Sequence, residues 1–142
     1  MRLDRGVALG LAAAADHGIL GTIGRDGAPD LVPAYFAIDT ELVAIPIDEV
    51  KPKAASPLQR ERNLERDPRA SLLVERWDPD DWARLWWVQL GLEASIEDTE
   101  TRAGLEGLLR HRYRQYADAQ FVAILTFRIT SVSGWAASPP TT

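Results

Sequence analysis

The sequence predicts a mainly β protein: a small antiparallel barrel of six strands with a few helices, forming one domain over residues 1–142. Three observations support this fold class. Short runs rich in branched and aromatic residues recur along the chain, and tight-turn signals separate them. Few segments have helical periodicity, whereas a parallel α/β sheet needs a crossover helix between successive strands. With 142 residues, 46% of them hydrophobic, the chain can bury a core of its own.

The chain opens with a predicted amphipathic helix, because Leu3, Val7 and Leu11 repeat at helical spacing and Gly18 stands where a helix commonly ends. Three strands should follow, in "ILGTIG", "LVPAYFAI" and "ELVAIPI". Asp26-Gly27 predicts a hairpin turn, since glycine accepts the positive φ of primed turns. Pro33 cannot donate a ladder hydrogen bond and should lie on an edge, at a bulge or where a ligand replaces a strand.

The next helix should begin in "SPLQRERNLERDP", with Ser56 as N-cap, Pro57 in the first turn and Gln59 as capping-box partner. Asp67-Pro68 should end this helix, because the residue before proline avoids helical geometry. The segments "RASLLVERW" and "RLWWVQLGLEASIED" then read as two further strands.

A last helix should be capped by Asp98 or Thr99. Its apolar stripe, which we assign to the core, is Leu105, Leu108, Leu109, Tyr113 and Tyr116. The closing strand is "QFVAILTFRITSVSGW", and we expect the tail, about residues 136–142, to be frayed.

Charge and composition exclude several classes of function. A net charge of −5 argues against general attraction to nucleic acid or to an anionic membrane. The absence of cysteine excludes disulfides, thiolate catalysis and Cys-ligated metals, and suits a cytoplasmic protein. Asp4, Arg5 and Asp16 bracket the N-terminal apolar run too closely for a membrane span.

Known catalytic signatures are also missing from the sequence. His17 and His111 are the only histidines, too few for a histidine-based metal site, so we expect no metal. The sequence has no nucleophile elbow, Walker loop or dinucleotide fingerprint. Such a chain suits chemistry that a bound cofactor supplies, with the protein positioning the reactants and excluding water.

The stretch "DEVKPKAASPLQRERN" gathers Lys51, Lys53, Arg60 and Arg62 around a predicted helix start. A helix N-terminus presents free N–H groups and partial positive charge, so a phosphate or a polycarboxylate is a suitable guest. The alternative is a set of solvated surface charges that balance the neighbouring glutamates, Glu49, Glu61 and Glu65.

Tryptophan is the second unusual feature, because four of the five lie between Trp77 and Trp87. Adjacent Trp86 and Trp87 on a strand must face opposite sides of the sheet. One can belong to the core while the other meets a planar ring or a second subunit, although core packing alone could account for both.

Four fragments of the sequence resemble a known family: "RDGAPDLVPAYFAID", "VKPK", "RERNLERDPRASLLVERW" and "RLWWVQLGLEASI". They are similar to the pyridoxamine-phosphate-oxidase-like split barrels, in particular to the actinobacterial branch assigned to the deazaflavin coenzyme F420. The resemblance covers roughly residues 10 to 135. It implies a homodimer of split β-barrels with two cofactor sites in clefts at the subunit interface.

The resemblance also implies residue roles. Lys51 and Lys53 match the basic residues that take the phosphate or acidic tail of the cofactor, with Ser56 and Asn63 in the accompanying loop and helix. Val32, Pro33 and Ala34 match the strand whose backbone lines the ring system, and Pro46 and Ile47 match the end of the next strand. The candidates for the wall from the partner subunit are Trp86, Trp87 and Trp135.

Differences from the family pattern argue against oxidation of a vitamin substrate. Lys-Pro-Lys replaces the Arg-Lys pair of the vitamin oxidases, and the C-terminus "SGWAASPPTT" lacks their arginine- and histidine-bearing motif. The leading hypothesis is therefore an F420-dependent oxidoreductase that acts on a small conjugated substrate. The alternatives are an FMN-dependent enzyme on the same barrel and a cofactor-binding protein without turnover.

Overall fold

The computed structural model describes residues 1–48, 58–117 and 121–140. An antiparallel sheet curls into a half-barrel, and helices pack against it. The helices and strands are α1 (Arg5–Ala14), β1 (Gly18–Ile23), β2 (Pro29–Ala34), β3 (Ala37–Asp39), β4 (Leu42–Asp48), α2 (Gln59–Arg66), β5 (Arg69–Arg76), β6 (Trp86–Ser95), α3 (Thr99–Arg112) and β7 (Phe121–Ala136). None of the helices described is long and apolar enough to cross a bilayer.

The predicted mainly β class and barrel are confirmed, but within the described residues the sheet has seven strands instead of six. The difference arises in "LVPAYFAI", where β2 ends at Ala34 and β3 begins at Ala37. At this corner the N–H of Phe36 donates to Tyr113 Oη (3.2 Å), and the Phe36 carbonyl oxygen lies 2.9 Å from the same hydroxyl. The backbone of Phe36 is therefore hydrogen-bonded to the side chain of Tyr113 at this corner.

The strand order is β2-β1-β5-β6-β7-β4-β3. The long strand β7 joins the two halves of this sheet, because it pairs with β4 through its first half and with β6 from Thr126 onwards. The register against β6 shifts between the pairs Gly91–Ser131 and Leu92–Ile129. Such a bulge bends the strand and increases its twist, which favours a curled sheet.

Two apolar clusters hold the fold together. The larger cluster fills the concave side of the sheet and includes the fully buried Leu20, Phe36, Leu72 and Phe127. The smaller cluster lies under α3, whose Leu105 and Leu109 pack against Ala37, Ala44 and Ile124. The core assignment of the predicted stripe is confirmed for Leu105, Leu109 and Tyr116, which are buried, while Leu108 and Tyr113 are partly buried. The two tyrosines lie beyond the helix, which ends at Arg112.

The predicted apolar face of α1 is wrong in detail. Val7 is exposed, while Ala8 and Ala12 are buried in the main cluster. Small side chains let the helix lie close to β6 and β7. At Gly134 the space is limited by other elements: an added Cβ would stand 3.1 Å from Leu3 Cδ1, before α1, and 3.1 Å from the Trp87 carbonyl oxygen of β6.

The start of α2 also differs from the prediction. The helix begins at Gln59 with Leu58 as N-cap, and the Leu58 N–H donates to Glu61 Oε1 at 3.1 Å. Glu61 therefore takes the role that the sequence assigned to Gln59, and Ser56 lies outside the described residues. The predicted end at Asp67 is confirmed.

Two other local predictions are confirmed. Gly27 has φ +85 in the β1–β2 turn, where the N–H of Ala28 donates to Asp26 Oδ1 at 3.0 Å. Asp98 caps α3 by accepting the Thr101 N–H at 2.7 Å, which lowers the pKa of its carboxyl group.

The pair Asp67–Arg69 predicts a pH dependence of stability. Hydrogen bonds from the Arg69 side chain, and then from its backbone N–H, lower the pKa of Asp67 from 3.8 to about 2. A depressed pKa means that this stabilisation is present above about pH 4 and is lost as the pH falls towards 2. Asp67→Asn should therefore show a smaller drop in urea midpoint than the wild type between about pH 5 and pH 2.

The control for this experiment is Asp80→Asn, a change in another exposed carboxylate. This variant should keep the wild-type pH dependence. Equal slopes for Asp67→Asn and the wild type would contradict the assignment to the Asp67–Arg69 pair.

Candidate functional site

The strand β2 forms one free edge of the sheet. Among the described strands it pairs with β1 alone, and Pro33 lies opposite Ile19 in that pairing. The predicted edge position of Pro33 is therefore confirmed. Pro33 is exposed, whereas Val32 and Ala34 are partly buried against the main cluster. About half of the backbone polar groups of an edge strand point away from its neighbour and can bind a ligand.

The end of β4 forms a second free edge. β3 covers β4 only over Leu42–Ala44, so within the described residues Ile45–Asp48 has a strand on one side only, namely β7. Pro46 and Ile47 lie in this segment, and both are buried. A ligand at this edge would therefore meet mainly backbone atoms.

Both edges border the same apolar interior. Val32 and Ala34 pack against the cluster that contains Val43 and Ile45 of β4. The barrel is thus split between β2 on one side and β3–β4 on the other, and the two predicted ring-lining segments lie at its free edges. Each segment carries a proline that removes one backbone donor.

Asn63 links α2 to the start of β2. Its side chain is fully buried, and Nδ2 donates to Thr22 Oγ1 (3.0 Å) and Asp30 Oδ2 (2.7 Å). Its Oδ1 accepts from Gln59 Nε2 (2.9 Å) and Arg66 Nη2 (2.6 Å). The amide therefore uses both its donors and two acceptor positions within the protein. Asn63 holds the helix in place and has no donor left for a ligand.

The predicted lysines, Lys51 and Lys53, lie outside the described residues, as does Ser56. The described chain stops at Asp48, at the free edge of β4, and resumes at Leu58, the N-cap of α2. The undescribed residues 49–57 therefore connect one edge of the split to the helix that Asn63 ties to the other edge.

The three tryptophans predicted as candidates for the partner-side wall, Trp86, Trp87 and Trp135, lie on two faces of the sheet. Trp86 packs against the main cluster, so its side chain faces the interior. Trp87 lies opposite Trp135 on β7 and opposite Glu75 on β5, on the outer face. Trp135 is 38% exposed. The expectation that the adjacent pair divides between interior and exterior is confirmed, and Trp87 with Trp135 faces outward.

The outer face of the sheet carries apolar side chains on several strands, together with the polar residues Ser71, Glu75 and Gln89. The cross-strand registers align Pro33, Ile19 and Leu73 in one row, and Leu31 with Gly21 in the next. Leu31 is 66% and Leu73 38% exposed. We call this surface, together with Trp87 and Trp135, the outer apolar face.

A tyrosine cluster at the far end of β2 was not predicted as part of a site. The rings of Tyr35, Tyr113 and Tyr116 lie 5.1 to 5.9 Å apart, and Tyr35 is half exposed. With Arg112 and Arg114 they line a cavity of about 360 Å³. Helical spacing assigned Tyr113 and Tyr116 to the core. The sequence signal of a polar opening was the pair of neighbouring arginines, Arg112 and Arg114.

The candidate site therefore extends along β2. At one end Asp30 contacts Asn63 of α2, and at the other end Tyr35 opens into the tyrosine cavity. Five residue steps of a strand span about 17 Å, which accommodates an elongated cofactor. No group of three or more His, Asp or Glu side chains placed to hold a metal occurs in the parts of the chain that the structure describes.

Solved structures with known folds are similar to this one. A conserved hypothetical protein from Mycobacterium tuberculosis is 20% identical with a TM-score of 0.73, covering 99% of this chain and 91% of that one. An F420 reductase is 20% identical with a TM-score of 0.58, covering 87% and 93%. A protein from Corynebacterium glutamicum, provisionally assigned as a pyridoxamine 5'-phosphate oxidase, is 14% identical with a TM-score of 0.62, covering 94% of each chain.

These similarities establish the fold. The chain has the split β-barrel fold of the pyridoxamine-phosphate-oxidase-like proteins, as the resemblance implied. No protein-family model matches the chain. Other structures with this fold include an FAD-binding protein from Mesorhizobium loti and a heme storage protein from Vibrio cholerae, so the fold alone does not select the cofactor.

The Asn63 network generates a prediction of stability. Asn63→Ala removes four hydrogen bonds and leaves the nearly buried Thr22 hydroxyl without this partner. We expect a loss of roughly 2 to 4 kcal/mol in the free energy of unfolding, measured by urea denaturation. The control, Gln59→Ala, removes one of these bonds and should cost less than about 1 kcal/mol. Equal effects of the two variants would contradict a central role for Asn63.

Proposed function

We propose that this protein is an oxidoreductase that binds reduced coenzyme F420 and transfers a hydride to a small conjugated substrate. The observation that carries the proposal is the split between β2 and the end of β4, with two free strand edges over one apolar interior. The fold that it shares with an F420 reductase supports the choice of cofactor.

The residues at the split fit a planar ring with a long anionic tail. The edge of β2 over Val32–Ala34 offers backbone groups to the ring, and the exposed Pro33 offers a flat apolar surface. Lys51 and Lys53 are the only lysines of the chain and belong to the segment between β4 and α2. Their charge would neutralise a phosphate or carboxylates on the tail. Asn63 would act as a positioning residue for α2.

When bound, the reduced deazaflavin supplies the hydride. The protein's contribution is to orient the two reactants and to keep water from them, which needs no acid–base pair of its own. The tyrosine cavity at the end of β2 would receive the substrate. Its phenol rings and the Arg112 guanidinium, 4.9 Å from the centroid of Phe36, give it an aromatic and cationic wall.

Two alternatives use the same split. An FMN enzyme would place a phosphate at the lysines, and a cofactor-binding protein without turnover would bind the same groups without catalysis. A heme protein is a third possibility on this fold. Within the described chain, both histidines, His17 and His111, are exposed and lie outside the β2 and β4 edges. This position favours the deazaflavin or flavin over heme.

We also propose that the protein forms a homodimer through the outer apolar face. On this face Leu31, Leu73 and Trp135 are exposed and Trp87 is partly buried. Exposed apolar side chains of this size are typical of an interaction site. Gly21 and Gly91 also lie on this face, where Leu31 Cδ2 and Ser131 Oγ fill the space that a Cβ at these positions would occupy. The dimer would bring Trp87 and Trp135 of one subunit near the site of its partner.

The first test is cofactor binding. We expect saturable binding of F420, followed by its fluorescence, and weaker binding of FMN and hemin in parallel titrations. Tighter binding of FMN or hemin than of F420 would overturn the choice of cofactor. Oxidation of reduced F420 upon addition of conjugated substrates would then distinguish an enzyme from a cofactor carrier.

The second test concerns the lysines. Lys51→Ala with Lys53→Ala should weaken F420 binding roughly tenfold to a hundredfold per lysine, because each charge-assisted contact contributes about 1.5 to 3 kcal/mol. The matched control is Arg2→Ala with Arg76→Ala, which removes the same charge from exposed positions away from the split. Equal affinities of the two double variants would contradict the assignment of the tail to the lysines.

The third test concerns the dimer. Leu31→Glu with Leu73→Glu should convert a dimer into a monomer in light scattering at micromolar concentration, because charges would be buried in the contact. Val7→Glu with Trp82→Glu changes two exposed apolar residues outside the outer apolar face and should leave the dimer intact. A wild-type monomer, or dissociation by the control alone, would contradict this interface.

A further inference from the structure

A cavity distinct from the tyrosine cavity is found in the described part of the chain. It has a volume of about 460 Å³ and lies between α2, the end of β6, the start of α3 and the middle of β7. Apolar side chains, including Pro68, Ile96 and Leu125, form part of its wall. Ile96 is 97% exposed, which is unusual for a large apolar side chain beside a cavity.

Two buried polar groups in this wall have unsatisfied atoms. Ser95 Oγ and Glu97 Oε2 are inaccessible to solvent, and no donor or acceptor in the described residues hydrogen bonds to either. The Glu97 side chain is only 9% exposed, and its Oε1 lies 3.6 Å from Arg128 Nη2. That distance exceeds the 2.7–2.9 Å of a charge-assisted hydrogen bond.

A buried carboxylate oxygen without a donor is costly, so such groups call for a partner. The ion pair with Arg128 cannot meet this need, because Arg128 is 66% exposed and approaches only the other oxygen. A ligand with a positively charged donor would satisfy Glu97 after a small rotation of its carboxylate. Ser95 adds a hydroxyl that can accept a further hydrogen bond.

The charges around the cavity favour the same ligand. Glu61, Glu65 and Glu97 line it, and Arg102 is the one cation among its described lining residues. Glu61 Oε1 is already used by the Leu58 N–H. The wall therefore combines a net negative charge with apolar surface, which suits a molecule having an ammonium group on an alkyl or aryl body.

We propose that this cavity is a second ligand site and that it binds a primary organic ammonium ion. The ammonium group hydrogen bonds to the Glu97 carboxylate and to Ser95 Oγ. The apolar body lies against Pro68, Ile96 and Leu125. The selectivity of the site comes from Glu97, whose Oε2 has no hydrogen-bond partner in the described residues, since the apolar wall alone would also accept neutral molecules.

The test uses n-hexylamine, which is protonated at neutral pH, and hexan-1-ol as its neutral counterpart of similar size. Isothermal titration calorimetry on the full chain should give saturable binding of hexylammonium and at least about tenfold weaker binding of hexanol. Equal affinities, or binding of Ca²⁺ without binding of hexylammonium, would overturn the proposal.

The variant that tests the recognition is Glu97→Gln, which keeps the shape of the side chain and removes its charge. It should weaken hexylammonium binding about tenfold or more and leave F420 binding unchanged, so that failure here and failure of the proposed function are distinguishable. Glu93→Gln is the control, because Glu93 lies on β6 shortly before Glu97, is exposed and does not line the cavity.

A second variant keeps the test valid if Glu97→Gln does not fold. Ser95→Ala removes a buried hydroxyl that has no partner, so the fold should tolerate it. This variant should weaken hexylammonium binding a few-fold while hexanol binding stays the same. Unchanged binding in either variant, with the protein folded, would overturn the proposal.

Discussion

The pairing of β7 with two strands is the constraint on which the rest of the structure depends. Thr126, Phe127 and Arg128 each lie between a residue of β4 and a residue of β6, so this short segment joins both halves of the sheet. The bulge beyond it adds twist. The sheet therefore curls until its outermost strands approach over a common core, and an opening is left between β2 and β4.

The opening persists because its edges cannot complete a ladder. Pro33 and Pro46 each remove a backbone donor, and the break at Tyr35 and Phe36 keeps β3 short. Side-chain hydrogen bonds hold both ends of β2. Tyr113 hydrogen bonds to Phe36 just beyond one end, and Asn63 hydrogen bonds to Asp30 near the other. A rigid frame around an open edge is the arrangement that a cofactor-dependent enzyme needs, since the cofactor brings the reactivity and the protein brings the geometry.

Asn63 illustrates how a buried amide can be used entirely within the protein. The resemblance assigned it to the cofactor region, and the structure places its side chain between α2, Thr22 and Asp30. Its hydrogen-bonding groups are nevertheless used by the protein. The tyrosine cavity and the cavity beside Glu97 differ in charge. Arginines make the wall of the first positive, whereas glutamates make the wall of the second negative.

Local patterns in the sequence were sufficient for the mainly β class, the turn at Gly27, the cap at Asp98 and the helix end at Asp67, because each depends on residues close in the chain. Alternation also predicted that Trp86 and Trp87 face opposite sides. Only the tertiary structure decided the break at Phe36, the buried face of α1 and the full use of the Asn63 amide. Those features depend on partners that are distant in the sequence. Tyr113 is 77 residues from Phe36 and Thr22 is 41 residues from Asn63, and only folding brings them together.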